Sequence, residues 1–263
     1  MADIALQMYT LRDHMADEQQ LFETLRRVRE IGYRSVQITR PGFMTVETLR
    51  AMLDECGLAA DSALGHCMRL EEEYDSIIHE AEVLGTRAVR LDGIPKELAQ
   101  TASGYRTFAQ ILEKGGRAFR AAGYDMYYHF HAFEWTNFGA ERGIDILLNE
   151  TAPEHVGFQP DVFWLTSAGT EPSSSLKLFA GRARYMHVKD YAIKPRTGAL
   201  EDVPNCFAPV GRGNLNWPGI MATARAIGID HFVVEQDQCD GDAFECIKLS
   251  YDALLAMTCC AAG

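Results

Sequence analysis

Glu30-Ile31-Gly32-Tyr33-Arg34-Ser35-Val36-Gln37-Ile38 contains the phrase that decides the fold. A helix ends at a glycine, and a short apolar strand begins. The phrase returns at Glu55-Cys56-Gly57-Leu58 before residues 59–64 and at Val83-Leu84-Gly85-Thr86 before Ala88-Val89-Arg90-Leu91. It returns again at Ala121-Ala122-Gly123-Tyr124 before residues 126–131, and at Ala226-Ile227-Gly228-Ile229 before Phe232-Val233-Val234-Glu235. Gly181, ahead of Tyr185-Met186-His187-Val188, fits the same scheme. A chain leaving a helix turns through left-handed backbone, where glycine carries no Cβ penalty. Leu21, Leu25, Val28 and Ile31 share one helical face, as do Val46, Leu49, Leu53 and Cys56, with Thr45 as the N-cap. An opening strand over Ile4 to Met8 and a further one at His155-Val156-Gly157-Phe158 bring the strands to eight, alternating with helices. Strict alternation predicts a parallel sheet. Eight units in 263 residues predict a closed (β/α)8 TIM barrel, a fold that takes roughly 250 residues, as one domain over 1–263. An open doubly wound sheet is the other arrangement, but no Gly-x-Gly-x-x-Gly follows the first strand.

The composition supports a large core: 47% of residues are apolar and 24% charged. The net charge of −12 and the lack of a basic cluster speak against nucleic acid or an anionic membrane as partner. Seven cysteines without a Cys-x-x-Cys pair speak against a zinc ribbon or a redox dithiol. Cys259 and Cys260 are adjacent near the C-terminus. No apolar run approaches the roughly 20 residues of a membrane span, and the N-terminus reads as a strand rather than a signal peptide. Free thiols without a signal predict a cytoplasmic protein. The longest irregular segment, about Tyr191 to Asn216, follows the seventh strand and so falls on the face where such barrels place their chemistry.

Polar residues crowd the C-terminal ends of the later strands. The fifth carries Tyr127-Tyr128-His129-Phe130-His131 and then Glu134; the sixth ends in Gln159-Pro160-Asp161; the seventh carries His187-Val188-Lys189-Asp190; the eighth ends in Glu235-Gln236-Asp237. A single carboxylate at a strand end is usually a helix cap or an ion-pair partner. Three carboxylates and an imidazole on four neighbouring strands are better explained by a shared cation that relieves their repulsion. Oxygen-rich ligation suits Mn2+ first, then Mg2+, Co2+ or Zn2+. His129 and His131 share strand parity and should both face the barrel interior, as core histidines or as catalytic ones. Lys189 is read as a packing residue.

Gln7-Met8-Tyr9-Thr10-Leu11-Arg12, Tyr128-His129-Phe130-His131-Ala132-Phe133-Glu134, His187-Val188-Lys189-Asp190, Ala208-Pro209-Val210-Gly211-Arg212-Gly213 and Val234-Glu235-Gln236-Asp237 resemble the sugar phosphate isomerase/epimerase family, within the xylose isomerase-like barrel superfamily. The resemblance runs from the first strand to Ser250-Tyr251. It implies a metal held by Glu134, Asp161, His187 and Glu235, although some relatives place the fifth-strand ligand inside the strand, where this chain has His129. Four departures stand out. Phe130 stands where the family's Tyr-His-Asn-His pattern has asparagine. Gln37 replaces the glutamate that usually ends the second strand. Trp164 and Ile193 stand where ketose epimerases of the superfamily carry a histidine and an arginine.

The chemistry such sites share is proton movement beside a carbonyl, with the ion as Lewis acid. Glu134 and Glu235 are the candidate bases on opposite sides of a substrate, with His131 or His129 as a further base. Ser62 and His66 are candidate hydrogen-bond partners of sugar hydroxyls. Tyr9, Phe133 and Trp164 are candidate walls for a sugar ring, and Arg212 is a candidate anion contact. Gly211-Arg212-Gly213 is a poor phosphate cradle, since no helix starts directly after it; Trp217-Pro218 reads as the helix start. The expected activity is a metal-dependent isomerase or epimerase of a sugar or keto-sugar, in a chain that can form a homo-oligomer. The alternative is a dehydratase of a keto-inositol or related keto-polyol. Abasic-site endonucleases share the superfamily, but the acidic balance opposes DNA binding. A non-enzymatic sugar-binding barrel would be expected to have lost its ligands.

Overall fold

Helix α1 (Glu18–Ile31) starts where the Asp17 side chain accepts the Gln20 amide and ends at Gly32. Helix α2 (Val46–Cys56) starts at Thr45, whose hydroxyl accepts the Thr48 amide. It ends at Gly57, whose φ of 67° lets its amide reach the carbonyls of Leu53 and Asp54. These caps satisfy terminal groups that a helix cannot satisfy itself. The computed structural model describes residues 3–195 and 205–259. Cys260 and part of the segment from Tyr191 to Asn216 lie outside the described residues.

The strands fall where the glycine phrase predicts them. They are β1 (Asp3–Gln7), β2 (Ser35–Gln37), β3 (Ala59–Ala60), β4 (Ala63–Gly65), β5 (Ala88–Asp92), β6 (Asp125–His129), β7 (Val156–Gln159) and β8 (Tyr185–Val188). A hairpin, β9 (Asp190–Ile193) with β10 (Asn205–Ala208), follows, and β11 (His231–Val234) completes the barrel. Pairing is parallel along β3-β2-β1-β11-β8 and along β4-β5-β6-β7. Two links close the ring. The parallel bridge between Asp161 and His187 joins the end of β7 to β8. β3 and β4 are the two halves of the third barrel strand, interrupted at Asp61 and Ser62. The expected single strand over 59–64 is thus broken.

The remaining helices are α3 (Leu70–Leu84), α4 (Ala102–Ala121), α5 (Gly143–Glu150), α6 (Val162–Ser167), α7 (Pro172–Ser175), α8 (Trp217–Ala226) and α9 (Ala243–Cys259). Most of the apolar core lies between strands and helices, where Tyr128, Phe158 and Phe179 are fully buried. Burying each such side chain contributes about 1.5–3 kcal/mol. A smaller apolar cluster of Ala5, Ala88, Tyr185 and Val233, with Tyr127 against it, fills the N-terminal end of the barrel interior. Gly157 makes room there: a Cβ would meet the Tyr127 ring at 2.5 Å. One step along each strand, the inward positions turn polar: Gln37, Arg90, His129, Gln159 and His187, all buried. Among the described residues no helix is long and apolar enough to cross a membrane.

Candidate metal centre

His187, two positions along β8 from Tyr185, shares its inward face. Its Nδ1 lies 3.0 Å from Nε2 of His129, 2.9 Å from Oε2 of Glu235 and 3.7 Å from Oδ2 of Asp161. His129 Nε2 is 3.5 Å from the same Asp161 oxygen. One ligand atom from each of His129, Asp161, His187 and Glu235 falls within 4.8 Å of the others, and all four residues are buried.

Asp161 shows how the fold aims one oxygen. It is the N-cap of α6, and its Oδ1 accepts the amides of Phe163 at 2.9 Å and Trp164 at 3.1 Å. Its Oδ2 is left without a hydrogen bond, as is Oε2 of Glu235. Two buried carboxylate oxygens that accept no hydrogen bond, facing two imidazole nitrogens, form a costly arrangement unless positive charge lies among them. A cation between them removes the cost. The electrostatics agree. Burial opposes a charge on His129, yet the neighbouring carboxylates of Asp161 and Asp92 outweigh it and lift the imidazole to about 9. The site favours positive charge at that nitrogen.

Lys189 supplies some of that charge. Two residues past His187 it returns to the barrel interior and is 1% exposed. Its Nζ lies 2.8 Å from Glu235 Oε2 and 3.2 Å from Asp161 Oδ2, close enough for charge contact but without hydrogen-bond alignment. It donates properly to Asp237, at 3.1 and 3.3 Å. Burial works against the ammonium, but Asp161, Glu235 and Asp237 hold it charged. The expectation that Lys189 only packs is therefore corrected: it sits among the carboxylates of the cluster. The two-residue spacing from His187 was the available signal.

Glu134 stands apart from this group. It is fully buried on a turn of 3-10 helix after β6. Its Oε1 accepts the Tyr128 hydroxyl and its Oε2 accepts the His131 amide at 3.0 Å. On geometry, the fifth barrel strand offers His129 rather than Glu134. Burial raises the Glu134 carboxyl to about 7, against the pull of those hydrogen bonds.

His131 borders the cluster, with its ring 4.8 Å from that of His129 and 5.3 Å from Trp164. Its Nδ1 is buried and has no partner. Burial and then the charge of His129 lower it to about 4, so the ring is neutral at pH 7. Phe133 stacks on it at 5.4 Å while remaining 43% exposed. Trp164 lies half-buried with Lys189 Nζ 5.4 Å from its ring. His131, Phe133 and Trp164 thus form one wall beside the cluster. Tyr9 is exposed on the 3-10 helix that follows β1, and His66 and Arg212 are exposed on loops that follow β4 and the hairpin; Tyr9 carries the Arg12 guanidinium 4.4 Å over its ring. Ser62 is buried in the break between β3 and β4.

The Gly211-Arg212-Gly213 turn has an internal anion. Asp190 accepts the amides of Gly211, Gly213 and Leu215 and the indole of Trp217. A Cβ on Gly213 would meet Asp190 Oδ1 at 2.3 Å. These amides point at a carboxylate of the chain itself, which leaves them closed to a phosphate.

With this geometry in view, the relatives are informative. An inosose dehydratase from Geobacillus kaustophilus (strain HTA426) is 26% identical over 202 residues, which cover 68% of this chain and 64% of that protein. The chain thus spans under two thirds of the length of that curated relative. A sugar phosphate isomerase/epimerase from Parabacteroides distasonis ATCC 8503 superposes with a TM-score of 0.81 at 20% identity, covering 97% of this chain and 94% of the other. A xylose isomerase-like TIM barrel protein from Mycobacterium smegmatis, solved in complex with magnesium, superposes with a TM-score of 0.72 at 18% identity, covering 100% and 98%. The sequence profile of the xylose isomerase-like TIM barrel matches residues 25–245, and the chain belongs to that family.

Proposed function

We propose that this chain is a metal-dependent enzyme that removes the proton beside the carbonyl of a sugar-like ketone. The observation that carries the reading is the convergence of His129, Asp161, His187 and Glu235 with two buried carboxylate oxygens that accept no hydrogen bond. Two nitrogens and two oxygens suit Mn2+, Co2+ or Zn2+ better than Mg2+, and Mn2+ keeps first place. When bound, the ion supplies Lewis-acid stabilisation of the charge that develops on the carbonyl oxygen.

The chain's own residues supply the rest. His131 presents an imidazole that burial keeps neutral, which suits it to exchange a proton with a substrate. Phe133 and Trp164 flank that imidazole and offer flat apolar faces to a ring. Lys189 places an ammonium beside Asp161, Glu235 and Asp237, where it adds positive charge next to a bound substrate. An isomerase or epimerase returns the proton to carbon. A dehydratase returns it to a departing β-hydroxyl, which leaves as water. A two-base epimerase needs a carboxylate opposite Glu235, and Glu134 is engaged with Tyr128 and the His131 amide instead. Dehydration of a keto-polyol is therefore the outcome this geometry supports best: His131 passes the proton to the hydroxyl and Lys189 eases its charge. Isomerisation or epimerisation is the second reading, supported by the neutral His131 ring beside the cluster, which can return a proton to carbon.

The test is incubation of Mn2+-loaded protein with a panel of keto-polyols and ketoses in D2O. Loss of one water by mass supports dehydration; deuterium uptake without mass loss supports isomerisation. Neither outcome on any keto-substrate, with metal bound, would sink the proposal. We further place the protein in the cytoplasm as one catalytic domain over 1–263 acting on a small molecule. The described free cysteines, Cys56, Cys67, Cys206, Cys239 and Cys246, support the reducing setting.

A further inference from the structure

We propose that Arg90 is a positioning residue that, through Gln37 and Asp92, selects which nitrogen each of His187 and His129 turns toward the metal. The inference rests on the metal-dependent reading above.

Arg90 lies on β5, only 3% exposed, inside the barrel. It donates from NH1 to Gln37 Oε1 at 2.8 Å and from NH2 to Asp92 Oδ2 at 3.0 Å. A guanidinium has donors only, so the Gln37 atom facing it must be oxygen. The far end of the amide agrees: Gln37 Nε2 donates to Asp61 Oδ2 at 2.9 Å. Both ends of Gln37 are thereby fixed, and the usual ambiguity of an amide's orientation is removed.

The same Gln37 oxygen lies 2.9 Å from His187 Nε2. An amide oxygen can only accept, so Nε2 of His187 must carry its proton. Nδ1 is then left with its lone pair, aimed at Glu235, His129 and Asp161. Asp92 does the same for the second ring: its Oδ1 lies 3.3 Å from His129 Nδ1. That carboxylate holds the proton on Nδ1 and leaves Nε2 as the nitrogen turned inward to the metal position. The two imidazoles face each other at 3.0 Å on the inner side and are joined on the outer side through Gln37, Arg90 and Asp92. One guanidinium thus orients two ligands. This gives Gln37, where relatives usually end the strand in glutamate, a specific task. A neutral acceptor serves His187 and at the same time donates to Asp61, which a carboxylate cannot do.

The test uses the full chain loaded with diamagnetic Zn2+ and labelled with 15N-histidine. Expected are metal-bound Nδ1 and a slowly exchanging Nε2 proton for His187, and the reverse for His129. Titration calorimetry with Zn2+ and Mn2+ should show Arg90→Met and Gln37→Met binding roughly 10- to 100-fold more weakly. Arg90→Lys should recover part of the loss. If Arg90→Met fails to fold, Gln37→Met with the tautomer spectrum still decides. His187 bound through Nε2, or both methionine variants binding like wild type, would overturn the proposal. A wild-type chain that takes up neither ion sinks the metal reading instead. The positioning role of Arg90 then stands only if metal-free protein shows the protected His187 Nε2 proton and Gln37→Met loses it.

Discussion

The Tyr128 hydroxyl donates its hydrogen bond to Oε1 of Glu134, while the His131 amide occupies Oε2. Both oxygens of the expected fifth-strand ligand are therefore engaged away from His129, Asp161, His187 and Glu235. Glu134→Gln should keep its bound metal, because the amide replaces a group that the cluster does not use. His129→Ala should bind Mn2+ at least about 10-fold more weakly. Titration calorimetry on both variants checks this; loss of metal from Glu134→Gln comparable to that from His129→Ala would return Glu134 to the ligand set.

Glu134 also predicts a pH dependence of stability. Its ordinary value is 4.5, and burial raises it to about 7 in the folded chain. A raised folded value means that the native state holds the proton more tightly. The associated stability is present below about pH 4.5 and fades as pH rises through about 7. Glu134→Gln cannot ionise, so its deficit against wild type should shrink between pH 5 and pH 8, by up to about 3 kcal/mol. Thermal melts of chelator-treated wild type and variant at the two pH values measure the change. A constant gap would show that Glu134 does not titrate in this window.

The barrel is legible in the sequence because its signals are local. Gly57 and Gly85 both adopt the left-handed backbone that their helix ends require. Inward parity correctly brings His129 and His131 to adjacent positions. The site is less legible where a contact depends on distant packing. Tyr128 points outward, against Phe108 and Phe158, and Glu134 follows it; the spacing of Tyr128 and Glu134 along the chain carries no such information. The hairpin of β9 and β10 is hidden because its two short strands are separated by eleven residues of sequence. Asp190 reads as a residue beyond a strand end, yet it organises a loop more than 20 residues away. Lys189 was accessible to the same parity argument that places His187.

Asp190 is a stability determinant outside the cluster. Asp190→Ala strips a charged acceptor from the amides of Gly211, Gly213 and Leu215 and from the buried indole of Trp217. Hydrogen bonds to a charged group are worth about 1.5–3 kcal/mol each, so the variant should lose at least about 3 kcal/mol. A melting temperature lower by roughly 6–12 °C is expected for a chain of this size. Because Asp190 closes this loop to other anions, millimolar inorganic phosphate should not raise the wild-type melting temperature. Stabilisation by phosphate that disappears in Asp190→Asn would contradict this account.

His131 should separate chemistry from metal binding. Its Nδ1 has no partner, and it lies beside the cluster rather than in it. His131→Gln should retain Mn2+ and lose about 10²- to 10⁴-fold in kcat, the range of a general base. Single-turnover kinetics on metal-replete variant protein make the comparison. Retained turnover would assign proton removal to another group.

Lys189 allows a sharper separation, because its two possible roles move affinity and turnover differently. As a stand-in for the ion, its ammonium competes for Glu235 Oε2 at 2.8 Å and Asp161 Oδ2 at 3.2 Å. Lys189→Met removes that competition, so Mn2+ should bind as tightly as in wild type or more tightly. If Lys189 only filled the space between carboxylates, turnover of the metal-loaded variant would be unchanged. If it stabilises charge on the substrate, kcat should fall by about 100-fold or more although metal occupancy is complete. Lys189→Arg should not restore the rate, since a planar guanidinium cannot take the position of a point charge held between three carboxylates. The decisive measurement is kcat at saturating Mn2+ alongside calorimetric metal affinity: weaker metal binding in Lys189→Met would show that the ammonium supports the cluster rather than competing within it.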